Sequence, residues 1–313
     1  MSRFATRSTS ARAAADLRSG LMQAYRRLGF VLLLAAASCG DKEMNSSIEE
    51  MNAGVDLAET GQFAAAEGRL KKAVSLREDN YQAWDLLGQV SETQRKWEEA
   101  VKAYATAVRY QPEEAMYRYR LGHAHFEAET QNLAEAQSNL EYAVKLNDRL
   151  YKAWYYLGMV YAAQDKAKEA AEAWTKSATL VPSFGKPFNQ LGKLYIEWDM
   201  LDLAIKVLEN GLVKVNGKFT VVDPIERSDI FYHLGLAYEA KGQTDKAIEN
   251  YSQALELRTD NIDARRQRGF CYAEKGDKKK AKEDLEAFVK SGGGGDAFHI
   301  QAANERLLRL TYQ

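Results

Sequence analysis

Trp154-Tyr155-Tyr156-Leu157-Gly158-Met159-Val160-Tyr161 is followed by Ala170, Trp174, Ser177, Leu180 and Pro182, and this stretch decides the fold. Trp154, Leu157, Gly158 and Tyr161 lie at i, i+3, i+4 and i+7, the spacing of one helical face. Ala170, Trp174 and Ser177 lie at i, i+4 and i+7 of a second helix, and Asp165-Lys166 makes a short polar turn between the two. Pro182 stops the second helix, having no N–H to donate and a ring that clashes with the preceding turn. The unit is a helical hairpin, and Gly158 and Ala170 are small where larger side chains would hold its helices apart.

The hairpin recurs. Gly54, Gly88, Gly122, Gly192, Gly235 and Gly269 take the place of Gly158, while Ala66, Ala100, Ala136, Ala204, Ala247 and Ala281 take that of Ala170. The common step is about 34 residues, the period of tetratricopeptide repeats. Over 47–291 the chain thus resembles the tetratricopeptide repeat (TPR) family. The resemblance implies an all-α, right-handed superhelical solenoid of about seven helical hairpins, at 47–80, 81–114, 115–150, 151–184, 185–227, 228–261 and 262–291. Residues 292–313 follow as a Gly-rich joint and a capping helix, with Asp296 as its N-cap.

Three departures stand out. The turn of the third hairpin is lengthened at Thr130-Gln131-Asn132. The step from Gly192 to Gly235 exceeds the others by about nine residues, around 214–222. There, Asn216-Gly217 between β-branched residues suits a small hairpin, with an ordered loop as the other reading. Asp223-Pro224 then reads as an N-cap followed by proline at the first helical position. In the seventh hairpin Arg265 and Arg268 stand where large apolar residues are expected, so its packing is an open question.

Composition agrees with a helical, core-forming chain. Of 313 residues 46% are hydrophobic and 28% charged, with four prolines. Net charge is −1, and the six arginines of residues 1–38 leave the repeats mildly acidic, which argues against a nucleic-acid partner. Cys39 and Cys271 are the only cysteines and do not suggest a disulfide framework.

Arg26-Arg27, the apolar run Phe30 to Ala37 and Ser38 read as a secretory signal over 1–38, and the apolar run is too short to span a bilayer. Ala36-Ala37-Ser38-Cys39 resembles the lipobox of bacterial lipoproteins, although Ala36 stands where a larger aliphatic residue is usual. The resemblance implies cleavage before Cys39, its acylation, an outer-membrane location facing the periplasm, and a polar tether over 39–46. An inert thiol behind an ordinary signal peptide and a mitochondrial transit peptide over 1–27 are the competing readings, and Met22 is an alternative start.

No catalytic or metal motif emerges, and no cofactor is expected. The four histidines are scattered, and His123 and His125 point in different directions from one helix. What remains is surface. In the TPR family the first helix of each hairpin lines a concave groove, and transferring those positions gives Met116, Tyr119, His123, Phe126 and Glu127 in the third hairpin. They fall on Lys152, Tyr155 and Met159 in the fourth, and on Lys186, Asn189 and Lys193 in the fifth. The second contributes Gln82, Asp85, Gln89 and Glu92, the sixth Tyr232, Leu236 and Glu239. The aromatic and Met-rich middle suits contact, with packing between repeats as the competing role for any one residue. Met51, Val55, Asp85 and Gln89 do not resemble the Lys/Asn clamp of the chaperone-binding members. The implied function is a non-enzymatic protein–protein scaffold at the cell envelope, of the kind that assists assembly of pilus secretins or outer-membrane barrels. The alternative is an accessory factor that recruits or regulates an envelope hydrolase or synthase.

Overall fold

The computed structural model describes residues 42–215 and 218–312. The signal over 1–38 and the lipidation at Cys39 lie outside the described residues. Among those described, fifteen α-helices are joined in sequence, with one pair of two-residue strands. The chain forms two compact units that meet in sequence between Gln164 and Asp165.

The first unit holds α1 (Lys42–Glu59), α2 (Phe63–Leu76), α3 (Tyr81–Thr93), α4 (Trp97–Tyr110), α5 (Ala115–Glu127), α6 (Leu133–Leu146) and α7 (Tyr151–Ala163). Helix α1 begins at Lys42, so residues 42–46, expected as a tether, are helical. The second unit holds α8 (Ala167–Leu180), α9 (Lys186–Glu197), α10 (Leu201–Gly211), β1 (Lys214–Val215), β2 (Lys218–Phe219), α11 (Pro224–Ala240), α12 (Thr244–Leu257), α13 (Ile262–Glu274), α14 (Lys278–Lys290) and α15 (Ala297–Tyr312). Within each unit, consecutive helices pack as antiparallel hairpins and each hairpin packs on the next.

The glycine and alanine series are the reason. All seven marker alanines are fully buried. At six of the seven marker glycines the space of a Cβ is already taken by a side chain four residues after the partner alanine: Leu70, Tyr104, Leu140, Leu208, Tyr251 or Leu285. The tightest is Gly235, where a Cβ would stand 2.3 Å from the Tyr251 ring. Gly235→Ala is therefore expected to cost about 2 kcal/mol by overpacking, read as an earlier loss of α11 and α12 in urea.

Seven residues after the glycine the chain turns through the left-handed region at Gly61, Arg95, Asp165, Asp199, Gly242 and Gly276, with φ from 57° to 79°. The third hairpin alone lacks this turn, and there the sequence is lengthened. Four residues before the glycine, one long N–H donor closes the connection from the previous hairpin. Trp84 Nε1 donates to Glu78 O (2.9 Å), Arg118 Nε to Pro112 O (3.0 Å), Trp154 Nε1 to Asp148 O (2.9 Å) and Arg265 Nη2 to Thr259 O (2.7 Å). Arg265 thus does the work of the tryptophan that the pattern calls for.

A polar clasp occurs in both units. Ser47 Oγ donates to Ala73 O (2.8 Å) and Asn80 Nδ2 to Ser47 Oγ (2.9 Å), while Asn80 Oδ1 caps α3 at Ala83 N (3.0 Å). Ser228, Ala254, Asn261 and Ala264 repeat each bond, at 2.9, 3.4 and 3.1 Å.

The strands pair antiparallel, Lys214 opposite Phe219, while the Asn216-Gly217 turn of the hairpin reading lies outside the described residues. Asp223 caps α11 through Ile225 N (2.8 Å), with Pro224 at the first position. Gly292–Gly295 break the helix with positive φ, and Asp296 accepts from Phe298 N (2.9 Å) to start α15. Helix α15 covers Leu285 and Phe288 with Ala303, which is fully buried.

Candidate interaction surfaces

In the first unit the groove positions of α3, α5 and α7 form one connected cluster. Its centre is Tyr156, whose ring lies 4.0 Å from His123, 6.2 Å from Tyr119, 6.4 Å from Phe126 and 5.1 Å from Tyr155. Tyr119 stacks parallel on His123 at 6.1 Å, and Trp97 meets His123 edge-on at 5.5 Å. Spacings of this kind are attractive for offset and edge-to-face rings. Tyr119, Phe126 and Tyr156 are half-buried, as are Met116 and Met159. His123 and Tyr155 are each 7% exposed, so they support the cluster from within.

Acids rim these rings. Glu92 lies 3.5 Å from His123 Nδ1, and Glu127 3.8 Å from Nε2. Glu92 also accepts from Tyr104 Oη at 2.8 Å. Beside them Asp85, 7% exposed, pairs with Arg120 across α3 and α5 and accepts from Gln89 Nε2 at 2.9 Å. Burial raises the Asp85 carboxyl above its ordinary value against the opposing pull of Arg120.

Sequence reasoning named Tyr155 and missed Tyr156 and Arg120. One residue is about 100° around a helix, so the rings of the Tyr155-Tyr156 doublet serve different neighbours. The doublet was visible; which of the two faces the cluster was not.

In the second unit Asn189 is 8% exposed and acts as a strut. Its Nδ2 donates to Glu226 O (3.2 Å), and its Oδ1 faces His233 Nδ1 at 3.2 Å. His233 Nδ1 also lies 2.8 Å from Asp229 O, which places the proton on Nδ1, since both neighbours are acceptors. Burial pushes the His233 pKa down to about 4, against the Asp229 carbonyl and aided by the charge of Lys193. Lys186 and Lys193 are exposed, and Lys193 lies 3.8 Å from Glu197. Tyr232 packs on Tyr251 at 6.0 Å and on His233 at 5.3 Å. This unit turns Asn189 into a brace between helices and leaves Lys186 and Lys193 exposed, while the first unit leaves a half-exposed aromatic face.

Arg268, a doubtful packing residue by sequence, forms a bidentate pair with Asp284: Nε to Oδ2 at 2.7 Å and Nη2 to Oδ1 at 2.8 Å. Cys271 is buried, and burial pushes its thiol up to about 12, so it is inert. No group of three His, Cys, Asp or Glu among the described residues could hold a metal. No helix among them is long and apolar enough to cross a membrane.

Family models described as tetratricopeptide repeat match residues 51–101, 86–131 and 127–183, and 263–291. A further one, described as TPR repeat, matches 235–276. The matched stretches together span more than half of the chain. Among curated proteins, anaphase-promoting complex subunit 3 of Schizosaccharomyces pombe is 27% identical over 115 residues, 36% of this chain and 17% of that protein. The chain therefore spans under a fifth of that relative. Among solved structures, a tetratricopeptide repeat protein from Parabacteroides merdae superposes with a TM-score of 0.58 at 16% identity, covering 86% of this chain and all of that one. PilF of Pseudomonas aeruginosa gives 0.56 at 16% identity, over 72% of this chain and 97% of its own. At such identities the likeness is one of fold.

Proposed function

The chain belongs to the tetratricopeptide repeat family, and from that premise we propose that it is a non-enzymatic scaffold of the bacterial cell envelope, anchored through a lipid on Cys39, that holds a segment of a partner protein. The observation that carries the binding site is the half-buried aromatic face of Tyr119, Phe126 and Tyr156, with Glu92 and Glu127 beside it. Aromatic rings left part-exposed yet held rigid by ring contacts are the composition of interface hot spots. A covering segment would remove the remaining apolar surface from water at about 25 cal/mol per Å². The basic flank, apolar run and Cys39 support export and anchoring.

Crosslinking in the native cell followed by affinity capture tests the groove. Capture of an envelope protein is expected from the wild type and is lost with Tyr119→Ala combined with Tyr156→Ala, while helical content is retained. Partners that persist in that variant rule out this face. Metabolic labelling tests the anchor: the fatty-acid label is expected to vanish in Cys39→Ala, and a label that remains removes the lipoprotein reading.

A further inference from the structure

Four first helices carry a tyrosine three residues after the phase-marking glycine: Tyr161, Tyr195, Tyr238 and Tyr272. In two of them the hydroxyl reaches a glutamate on the second helix of the preceding hairpin. Tyr161 Oη donates to Glu141 Oε1 at 2.8 Å, and Tyr238 Oη to Glu209 Oε1 at 3.0 Å. Glu141 and Glu209 each stand five residues after their marker alanines, Ala136 and Ala204.

Before Tyr272 the same position holds Ser252. There Arg268 closes the gap, donating from Nη1 to Ser252 Oγ at 3.0 Å with its guanidinium carbon 5.8 Å from the Tyr272 ring. Before Tyr195 the position holds Thr175, which is exposed and too short to reach across. Nothing replaces it. Among the described residues the Tyr195 hydroxyl has no hydrogen-bond partner, and an open hollow of about 390 Å³ remains, lined by Ala171, Glu172, Thr175, Lys176, Thr179 and Tyr195. The Trp198 ring lies 6.2 Å from Tyr195. Trp198 is 41% exposed, and Met200 and Leu203 just beyond it are 48% and 40% exposed.

We propose that this hollow is a second docking site, separate from the aromatic groove of the first unit, and that it takes a single glutamate or aspartate side chain carried on an apolar segment of a partner protein. The carboxylate accepts from Tyr195 Oη, the bond that Glu141 and Glu209 make at the corresponding tyrosines. The lysine at the rim, Lys176, adds an opposite charge, and the segment's apolar flanks cover Trp198, Met200 and Leu203. Glu172, also at the rim, opposes a second negative charge, so the site selects one carboxylate in an apolar setting over an acidic run.

The test uses the full chain and two labelled peptides, acetyl-Leu-Glu-Leu-Leu-amide and its glutamine counterpart, followed by fluorescence anisotropy. The glutamate peptide is expected to bind about tenfold tighter, as fits one charge-assisted hydrogen bond. Tyr195→Phe removes most of this difference, leaving only what the charge of Lys176 adds. Thr175→Glu supplies the missing carboxylate from within the chain, so binding disappears while the melting temperature is kept or raised. The groove variant Tyr119→Ala with Tyr156→Ala leaves the peptide affinity unchanged, which separates this site from the one proposed above. Equal affinities in the wild type, no binding at millimolar peptide, or unaltered binding by Thr175→Glu would each overturn the proposal.

Discussion

Arg268→Leu is expected to destabilise the second unit by about 3 kcal/mol, although leucine is the residue the repeat pattern calls for at that position. Asp284, 6% exposed, would lose both hydrogen bonds from the guanidinium and stay buried as an uncompensated charge. Breaking a buried pair from one side costs about 3–5 kcal/mol, whereas replacing both partners by apolar groups is often neutral. Arg268→Leu with Asp284→Ala should therefore recover most of the loss. Hydrogen exchange across α13 and α14 is the suitable readout, because a repeat stack need not unfold as one unit. If the double variant is no more protected than the single, the cost arises from something other than the stranded carboxylate.

The second large effect is a loss of stability on acidification that traces to His233. Its folded pKa of about 4 lies below the ordinary 6.5. As the pH falls through that window, the unfolded chain takes up a proton that the folded chain refuses. The contribution of His233 to stability is thus full above pH 6.5, declines towards pH 4, and is absent below both values. The gap corresponds to about 3 kcal/mol. His233→Gln keeps a donor for Asn189 and Asp229 O but does not titrate, so its second unit should lose less stability than the wild type between pH 6.5 and 4. Asp229 and Glu239, whose carboxyls burial raises, act in the opposite direction in both proteins and cancel in the comparison. Parallel pH profiles for the two proteins would mean that the imidazole is not the group responsible.

The hairpins were legible because two series of small residues, glycine and alanine, answer a steric demand that any reader of spacing can see. Asp223 and Asp296 were legible as caps because their chemistry is local. Arg268 was not, because its merit depends on Asp284 sixteen residues away, and a hydrophobic pattern carries no record of pairwise charge compensation. The positions transferred from the family pattern named several residues of the aromatic cluster but not their contacts. Asn189 and Tyr155 sit at groove positions, and packing took both of them inward. The start of the first helix was placed late because Lys42, Glu43, Asn45 and Ser46 are polar, while the fold continues α1 back to Lys42.

The matched clasps have a genetic corollary. Ser47, Ala73 and Asn80 in one unit and Ser228, Ala254 and Asn261 in the other occupy the same phase and make the same bonds. An unequal crossover in register between the two coding regions would excise five whole repeats and still encode one complete clasp. Such an excision would keep the remaining hairpins in phase, but the two that are left fall short of the three a stable stack needs.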